Sequence, residues 1–258
     1  MNTDKKHLKL FSETLDLAFT DQGTGRPFLL LHGGAGPASM MGLAGALATN
    51  ARAIVPIHPG FNGEPRPDGF ARIGDLALAY LAMLERLDLK NVIVVGNSVG
   101  GWITAEMGLR KSPRIAGIVL LNSVGIDPGP DRTIPDPTKL PPPERLAMAF
   151  HDPGKFAIIP SDPAALAGMA RNQETLRVYG GEQFSYDPGL GPRLARMSTP
   201  TLLAWGETDR IVDVDYARLF SKSIPGSRLE LVSKAGHFPQ IERLEYTTGL
   251  IAGFAEKL

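Results

Sequence analysis

The chain has 258 residues, 43% of them hydrophobic and 21% charged, which is the composition of a globular protein and not of a disordered or membrane-embedded one. Lys plus Arg and Asp plus Glu both number 27, so no net field exists to hold nucleic acid or an anionic membrane surface, and neither is expected as a partner. Zero cysteines exclude a disulfide framework, a thiol nucleophile and thiolate metal sites.

The start, MNTDKKHLKLF, places two lysines ahead of a region that never becomes an apolar run with a small-residue cleavage site, so no secretory signal is read. No stretch approaches the roughly 18 apolar residues of a membrane helix, and a cytoplasmic location is expected. The length suits one domain, with room for an inserted subdomain. From Leu8 to Leu31 the residues alternate in a strand-like way around Asp21-Gln22-Gly23-Thr24-Gly25, which predicts an antiparallel hairpin turning there and leading into a buried strand, Phe28 to Leu31. Strand-like and helix-length segments then alternate: Ala51 to Ile57, Phe70 to Leu87, Asn91 to Val95, Val99 to Arg110 and Ile115 to Leu121. The rhythm resumes at Thr201 to Trp205 and runs through Val214 to Ser223, Arg228 to Val232 and Leu244 to Lys257. It is that of βαβ units in a mostly parallel sheet.

The interruption, residues 127–192, holds more than half of the 22 prolines. A structureless loop of that length is improbable in a compact domain. Short helical patterns at Pro143 to Phe150 and Pro163 to Val178 predict a small helical lid, with residues 1–126 and 193–258 forming the core. Met148, Phe150, Phe156, Ile158, Ile159 and Met169 make this lid apolar, and part of that surface is expected to face a pocket.

The strongest local signal is Gly96-Asn97-Ser98-Val99-Gly100, directly after the β-branched run Val92 to Val95 and before a helical pattern. A serine on such a sharp strand-to-helix turn is lifted clear of the sheet, beside unpaired N–H groups of a helix start. A serine hydroxyl is hardly nucleophilic alone, so it needs a base and a group that fixes the base's tautomer. His237 follows Leu229 to Val232, and Asp209 follows Thr201 to Trp205, so both fall past presumed carboxyl ends of strands, where open α/β sheets bind ligands. Asp213 and Asp215 compete with Asp209 but lie where a helix begins. The glycines of His32-Gly33-Gly34 let backbone approach a substrate, and the N–H of Gly34 or a neighbour is expected to join that of Val99 in an oxyanion hole. His32 is expected to hold this loop by hydrogen bonds. His58 reads as a surface loop residue, and Trp102 and Met107 read as core, with Trp102 retained as a weaker substrate-contact candidate. The five histidines show no metal-binding spacing, and no nucleotide-binding glycine motif occurs, so neither metal nor cofactor is expected.

The segments LLLHGG, GNSVGG, GETDRIV and AGHFPQIE, in this order, resemble those of the α/β-hydrolase superfamily. The resemblance implies a doubly wound, mostly parallel eight-stranded sheet and agrees with Ser98, Asp209 and His237 as the triad, while a neutral chain with an apolar lid suggests a small, largely hydrophobic ester or lactone, or a ketone-bearing acid, as substrate. Asn97 and the HGGAGPAS segment are similar to the meta-cleavage-product hydrolases, which break carbon–carbon bonds. Those enzymes usually carry a tryptophan after the histidine, where this chain has Phe238, and for a substrate-binding arginine in the lid the candidates are Arg171 and Arg177. The aspartate nucleophile of haloalkane dehalogenases and epoxide hydrolases is replaced by Ser98, which argues against both activities. Some relatives keep the same residues and act as perhydrolases, lyases or ligand receptors.

Overall fold

The computed structural model describes residues 4–136, 139–157 and 161–258. In chain order the first half contains β1 (Lys6–Leu10), β2 (Leu15–Gly23), β3 (Pro27–Leu31), α1 (Ala38–Leu47), β4 (Arg52–Pro56), α2 (Ile73–Arg86), β5 (Val92–Asn97), α3 (Val99–Leu109) and β6 (Ile115–Leu121). Then come α4 (Pro142–Ala149), α5 (Pro153–Phe156), α6 (Pro163–Gly180) and α7 (Leu190–Leu194). The chain closes with β7 (Thr201–Gly206), α8 (Val214–Ser223), β8 (Arg228–Val232), α9 (Pro239–Glu242) and α10 (Leu244–Ala255).

The eight strands form one sheet in the order β1-β2-β4-β3-β5-β6-β7-β8. The pairs β1–β2 and β2–β4 are antiparallel, and all others are parallel. Period-two alternation divides each central strand between two cores. Leu29, Leu31, Val92, Val94, Ile118 and Leu120 join one apolar cluster, packed with Tyr80 of α2, Ile103 of α3 and Phe220 of α8. Phe28, Leu30, Ile93, Val95, Val119 and Leu121 join the other, packed with Leu43 of α1 and Ile251 of α10. Strands buried on both faces need helices on both faces, and the near-continuous apolar runs of β5 and β6 follow from that.

The amino-terminal hairpin turns earlier than its sequence suggests. Its register pairs Lys6 with Phe19 and Leu10 with Leu15, so the turn is Phe11–Thr14, with Phe11, Ser12 and Glu13 at φ of 51°, 52° and 69°. Asp21, Gln22 and Gly23 instead continue β2 along β4. The Asp21 carboxylate is held there by Arg52 at 2.9 and 3.0 Å. Gly23, at φ 74°, ends the strand where a side chain would strike the Ala51 carbonyl, so the glycine marks a close approach and not a hairpin turn.

Between β6 and β7 the described residues carry α4 to α7. Pro142 and Pro163 open α4 and α6 at the first turn, where a missing N–H is harmless, and the Asp162 carboxylate caps α6 by accepting the Ala165 N–H at 2.9 Å. The expected limit at residue 192 falls inside α7, whose Leu190 and Leu194 are buried in the first core. Ile158 and Ile159 lie outside the described residues. Among the described residues no helix is long and apolar enough to cross a membrane, and no group of three or more His, Asp or Glu residues could hold a metal ion.

Candidate active site

Ser98 joins β5 to α3 at φ 57°, ψ −121°, a backbone conformation costing on the order of 1–3 kcal/mol for a non-glycine residue. Its surroundings hold it there. The Ser98 N–H donates to Leu121 O (3.0 Å), and its carbonyl accepts from the N–H groups of Gly101 (2.9 Å), Trp102 (3.2 Å) and Val124 (3.3 Å). A Cβ on Gly96 would collide with the Gly100 carbonyl, one on Gly100 with the Leu31 carbonyl, and one on Gly33 would lie 2.8 Å from the Ser98 Cβ. The glycines on either side of the serine, and the one after His32, are therefore steric requirements of one tight crossing.

Asp209 and His237 meet at the carboxyl ends of β7 and β8. His237 Nδ1 donates to Asp209 Oδ2 at 2.8 Å, and both residues are buried. The same Oδ2 accepts Asn122 Nδ2–H at 2.7 Å, while Oδ1 accepts the N–H groups of Ile211 (2.8 Å) and Val212 (3.2 Å). Asp213 instead caps α8 by accepting the Tyr216 N–H at 2.8 Å, and Asp215 pairs with Arg132 and Arg218 on the surface. The histidine backbone is clamped from two sides. Its N–H donates to Ala149 O (2.7 Å) of α4, and its carbonyl accepts Asn97 Nδ2–H (2.9 Å), which also reaches Leu121 O at 3.1 Å. Glu242 holds the approach by accepting the Gly236 N–H (2.6 Å) and, from the insertion, the Asp152 N–H (3.0 Å).

Ser98 and His237 line one cavity of about 350 Å³, and among the described residues the Ser98 hydroxyl makes no hydrogen bond. Gly34 and Val99 line it too, and neither N–H has a protein acceptor among the described residues. A Cβ on Gly34 would lie 2.6 Å from Leu176 Cδ2, so the insertion packs its Leu176 side chain directly over this loop. Leu146, Phe150, Phe156, Met169 and Leu176 supply an apolar wall from the insertion, and Phe238 packs against Phe150 with ring centroids 5.1 Å apart. Met148 is half-buried and stands outside the lining. Arg171 and Arg177 are exposed and also outside it, because the face of α6 turned inward carries Asn172, Gln173 and Leu176. The arginine in the wall is Arg145. Trp102 and Met107 are core residues away from the cavity.

His58 is fully buried, contrary to its reading as a surface residue, because β3 and β4 are parallel neighbours and set it against His32. The rings stack at 3.7 Å. His32 Nδ1–H donates to Gly33 O (2.8 Å) and its Nε2 accepts the His58 N–H (3.1 Å). His58 Nε2–H donates to His32 O (2.8 Å), and its Nδ1 accepts the Tyr80 hydroxyl. Each ring uses one N–H and one lone pair, which only a neutral imidazole offers. Burial, partly offset by the Gly33 carbonyl, pulls His32 down to about 4, and burial followed by the neighbouring His32 pulls His58 well below the usual histidine value.

Between pH 6.5 and about 4 the unfolded chain therefore binds protons at these rings that the folded chain does not. Their contribution to stability is full above that window and is lost as the pH falls through it. For His32 alone the loss reaches about 3 kcal/mol at pH ~4. Urea midpoints are expected to drop steeply between about pH 7.5 and 4.5, and less steeply in a His58→Gln variant. Equal slopes for the two proteins would refute the neutral pairing.

Open sheets that present such side chains beyond their parallel carboxyl ends define the α/β-fold hydrolases. The chain belongs to the alpha/beta hydrolase family, whose model matches residues 28–247, and it is an enzyme of the hydrolase class. It is similar to the 2-hydroxymuconate semialdehyde hydrolase of Pseudomonas putida, 29% identical over 259 residues that span 91% of this chain and 88% of that protein. It is 26% identical to the 2-hydroxy-6-oxononadienedioate/2-hydroxy-6-oxononatrienedioate hydrolase of Escherichia coli K12, over 94% of this chain and 91% of that one. Among solved structures, the esterase from Thermogutta terrifontis shares the fold with a TM-score of 0.77 at 21% identity, covering 98% of both chains. A variant of the meta-cleavage product hydrolase from Pseudomonas fluorescens IP01 does so with a TM-score of 0.75 at 20% identity, covering 94% of both.

Proposed function

We propose that the chain hydrolyses small acyl compounds with Ser98 as nucleophile, His237 as base and Asp209 as the group that orients the histidine. The observation that carries this reading is the 2.8 Å His237–Asp209 contact, buried against the cavity that Ser98 enters from its left-handed turn. His237 Nε2 takes the hydroxyl proton as Ser98 Oγ bonds to the carbonyl carbon, and returns it to the leaving group as that bond breaks. Water then attacks the acyl-serine by the same proton relay. The developing oxyanion is held by the N–H groups of Gly34 and Val99, each such donor contributing about 10²- to 10³-fold in rate. Neither metal nor cofactor enters this chemistry.

A cavity of about 350 Å³ with an apolar wall suits a small, largely hydrophobic ester or lactone, covered by residues 127–192 acting as a lid. A second reading, carbon–carbon hydrolysis of a ring-opened aromatic product, is favoured by the name of the Pseudomonas putida relative. Phe238, where the resemblance implies tryptophan, separates the chain from that group. Labelling of Ser98 by a fluorophosphonate tests the nucleophile. Turnover of p-nitrophenyl esters beside 2-hydroxymuconate semialdehyde then ranks the two readings. An unlabelled Ser98 in folded protein would sink both. The reading includes cytoplasmic residence, supported by the cysteine-free, net-neutral chain.

Asn122 is a positioning residue for this chemistry. Its Nδ2 holds Asp209 and its Oδ1 accepts the Gly206 N–H at 3.1 Å, from a backbone at φ 41°. Asn122→Ala frees Asp209 to rotate away from His237, and kcat is expected to fall about tenfold with KM little changed, an effect of about 1.4 kcal/mol. A fall confined to KM would show that Asn122 acts on the substrate instead.

A further inference from the structure

Arg145 lines the cavity and carries a charge for which acyl transfer has no use. It is the single Lys, Arg, Asp or Glu side chain among the described lining residues, set in α4 between Glu144, which is exposed, and Leu146, which shares the apolar wall. Among the described residues its guanidinium donates no hydrogen bond and meets no carboxylate. The contrast within the chain is direct: Arg52 forks onto Asp21, Arg114 onto Asp88 and Leu89 O, and Arg132 onto Asp213 and Asp215. Those partners hold Arg52 and Arg132 above the usual arginine value, whereas burial alone acts on Arg145 and draws it below. A half-buried cation that shares a wall with Leu146 and Phe150 is costly unless something pairs with it, and the cavity it lines is the one that Ser98 and His237 line.

We infer that Arg145 recognises a carboxylate on the substrate, so that the natural acyl compound carries one negative charge in addition to its scissile carbonyl. This deepens the acyl-transfer reading and rests on it. A carboxylate fits better than a phosphate for two reasons. Its two oxygens match the planar fork of a guanidinium, and a single guanidinium cancels one unit of charge. With no second Lys or Arg among the described lining residues, a phosphate dianion would leave charge uncompensated among phenylalanine and leucine side chains. The position also differs from the arginines that the family resemblance singled out, Arg171 and Arg177, which face outward.

The test compares a matched pair of substrates, mono-p-nitrophenyl glutarate and neutral p-nitrophenyl valerate. The wild type is expected to favour the charged ester in kcat/KM. Arg145→Met should lower the charged-to-neutral ratio by about 10- to 100-fold, the usual range for loss of a charge-assisted hydrogen bond. Arg145→Lys should restore part of the ratio, because it keeps the charge and loses the fork. A readout free of turnover accompanies it: Ser98→Ala protein should bind monomethyl glutarate in calorimetry, and the added Arg145→Met change should weaken that binding by a similar factor. Ratios that do not move with Arg145, in protein whose Ser98 still labels, overturn the carboxylate assignment alone. Binding that depends on Arg145 in protein whose Ser98 does not label upholds the assignment and overturns the acyl-transfer reading instead.

Discussion

Ser98→Ala is expected to lower kcat on any turned-over ester by about 10⁴- to 10⁶-fold and to leave the unfolding midpoint nearly unchanged. The two halves of this expectation come from different features of one residue. The hydroxyl makes no hydrogen bond among the described residues, so its removal orphans no described partner. On the proposed path its loss removes the nucleophile, and the activity expected to survive is what the proposed Gly34 and Val99 N–H donors supply by polarising the carbonyl for water. The backbone carries the opposite lesson. At φ 57° and ψ −121° an alanine is as strained as a serine, whereas glycine is not. Ser98→Gly should therefore match Ser98→Ala in lost activity yet melt higher, by about 1 kcal/mol in stability. Kinetics on p-nitrophenyl esters and thermal unfolding of both variants check the pair of expectations. A Ser98→Ala protein retaining more than a hundredth of wild-type kcat would remove the serine from the mechanism.

Most of the fold was legible because its signals are local. The β-branched run of β5, the glycines flanking Ser98 and the return of strand-helix rhythm after residue 192 are each contained within a few neighbours. Glycines 33, 96 and 100 could be read as functional because a missing Cβ is a statement about close approach, and the structure supplies the backbone or side chain that each one approaches. What could not be read depends on partners far away in sequence. His58 looks like any histidine between a strand and a Pro-Gly step until β3 and β4 are known to be neighbours. Asn122 carries no motif, although an asparagine just past an apolar strand is among the residues that tolerate the left-handed backbone it adopts. The hairpin turn is not legible, because Gly23 and Gly25 give a stronger turn signal than Phe11–Thr14, where three of the four residues take positive φ without glycine. Arg145 carries no sequence signal of its own: the resemblance points to arginines on α6, whereas the cation that lines the cavity comes from α4.

The histidine is where core and insertion become mechanically one object. Asn97, next to the nucleophile, holds the His237 carbonyl, while Ala149 at the end of α4 holds its N–H. Arg145 lies on that same helix. The same helix is tied to the Asp209 loop as well, where the Arg210 N–H donates to Met148 O at 3.3 Å, and Glu242 bridges Gly236 and Asp152. The close approach leaves no room for adjustment, since a Cβ on Gly236 would lie 2.5 Å from the Ala149 carbonyl.

Asp209→Asn isolates the orienting step. In the native site Oδ1 is committed to two backbone donors, Ile211 and Val212, and Oδ2 to two side-chain donors, His237 and Asn122. An asparagine must keep its oxygen on the backbone pair, so its NH₂ group faces His237 Nδ1 and Asn122 Nδ2, where every neighbour is already a donor. The imidazole escapes by moving its proton to Nε2, and it then has no lone pair with which to take the Ser98 proton. The change preserves shape and is expected to cost about 10⁴-fold in kcat. The rate of fluorophosphonate labelling should fall in parallel, because both reactions need the same deprotonation. Asp213→Asn supplies the contrast: it leaves an oxygen to cap α8 and weakens only the Arg132 pair on the surface, and its kcat should stay within about threefold of wild type, as surface ion pairs contribute little. If the two variants lose similar activity, the charge of Asp209 acts through the stability of its loop, and the tautomer argument fails.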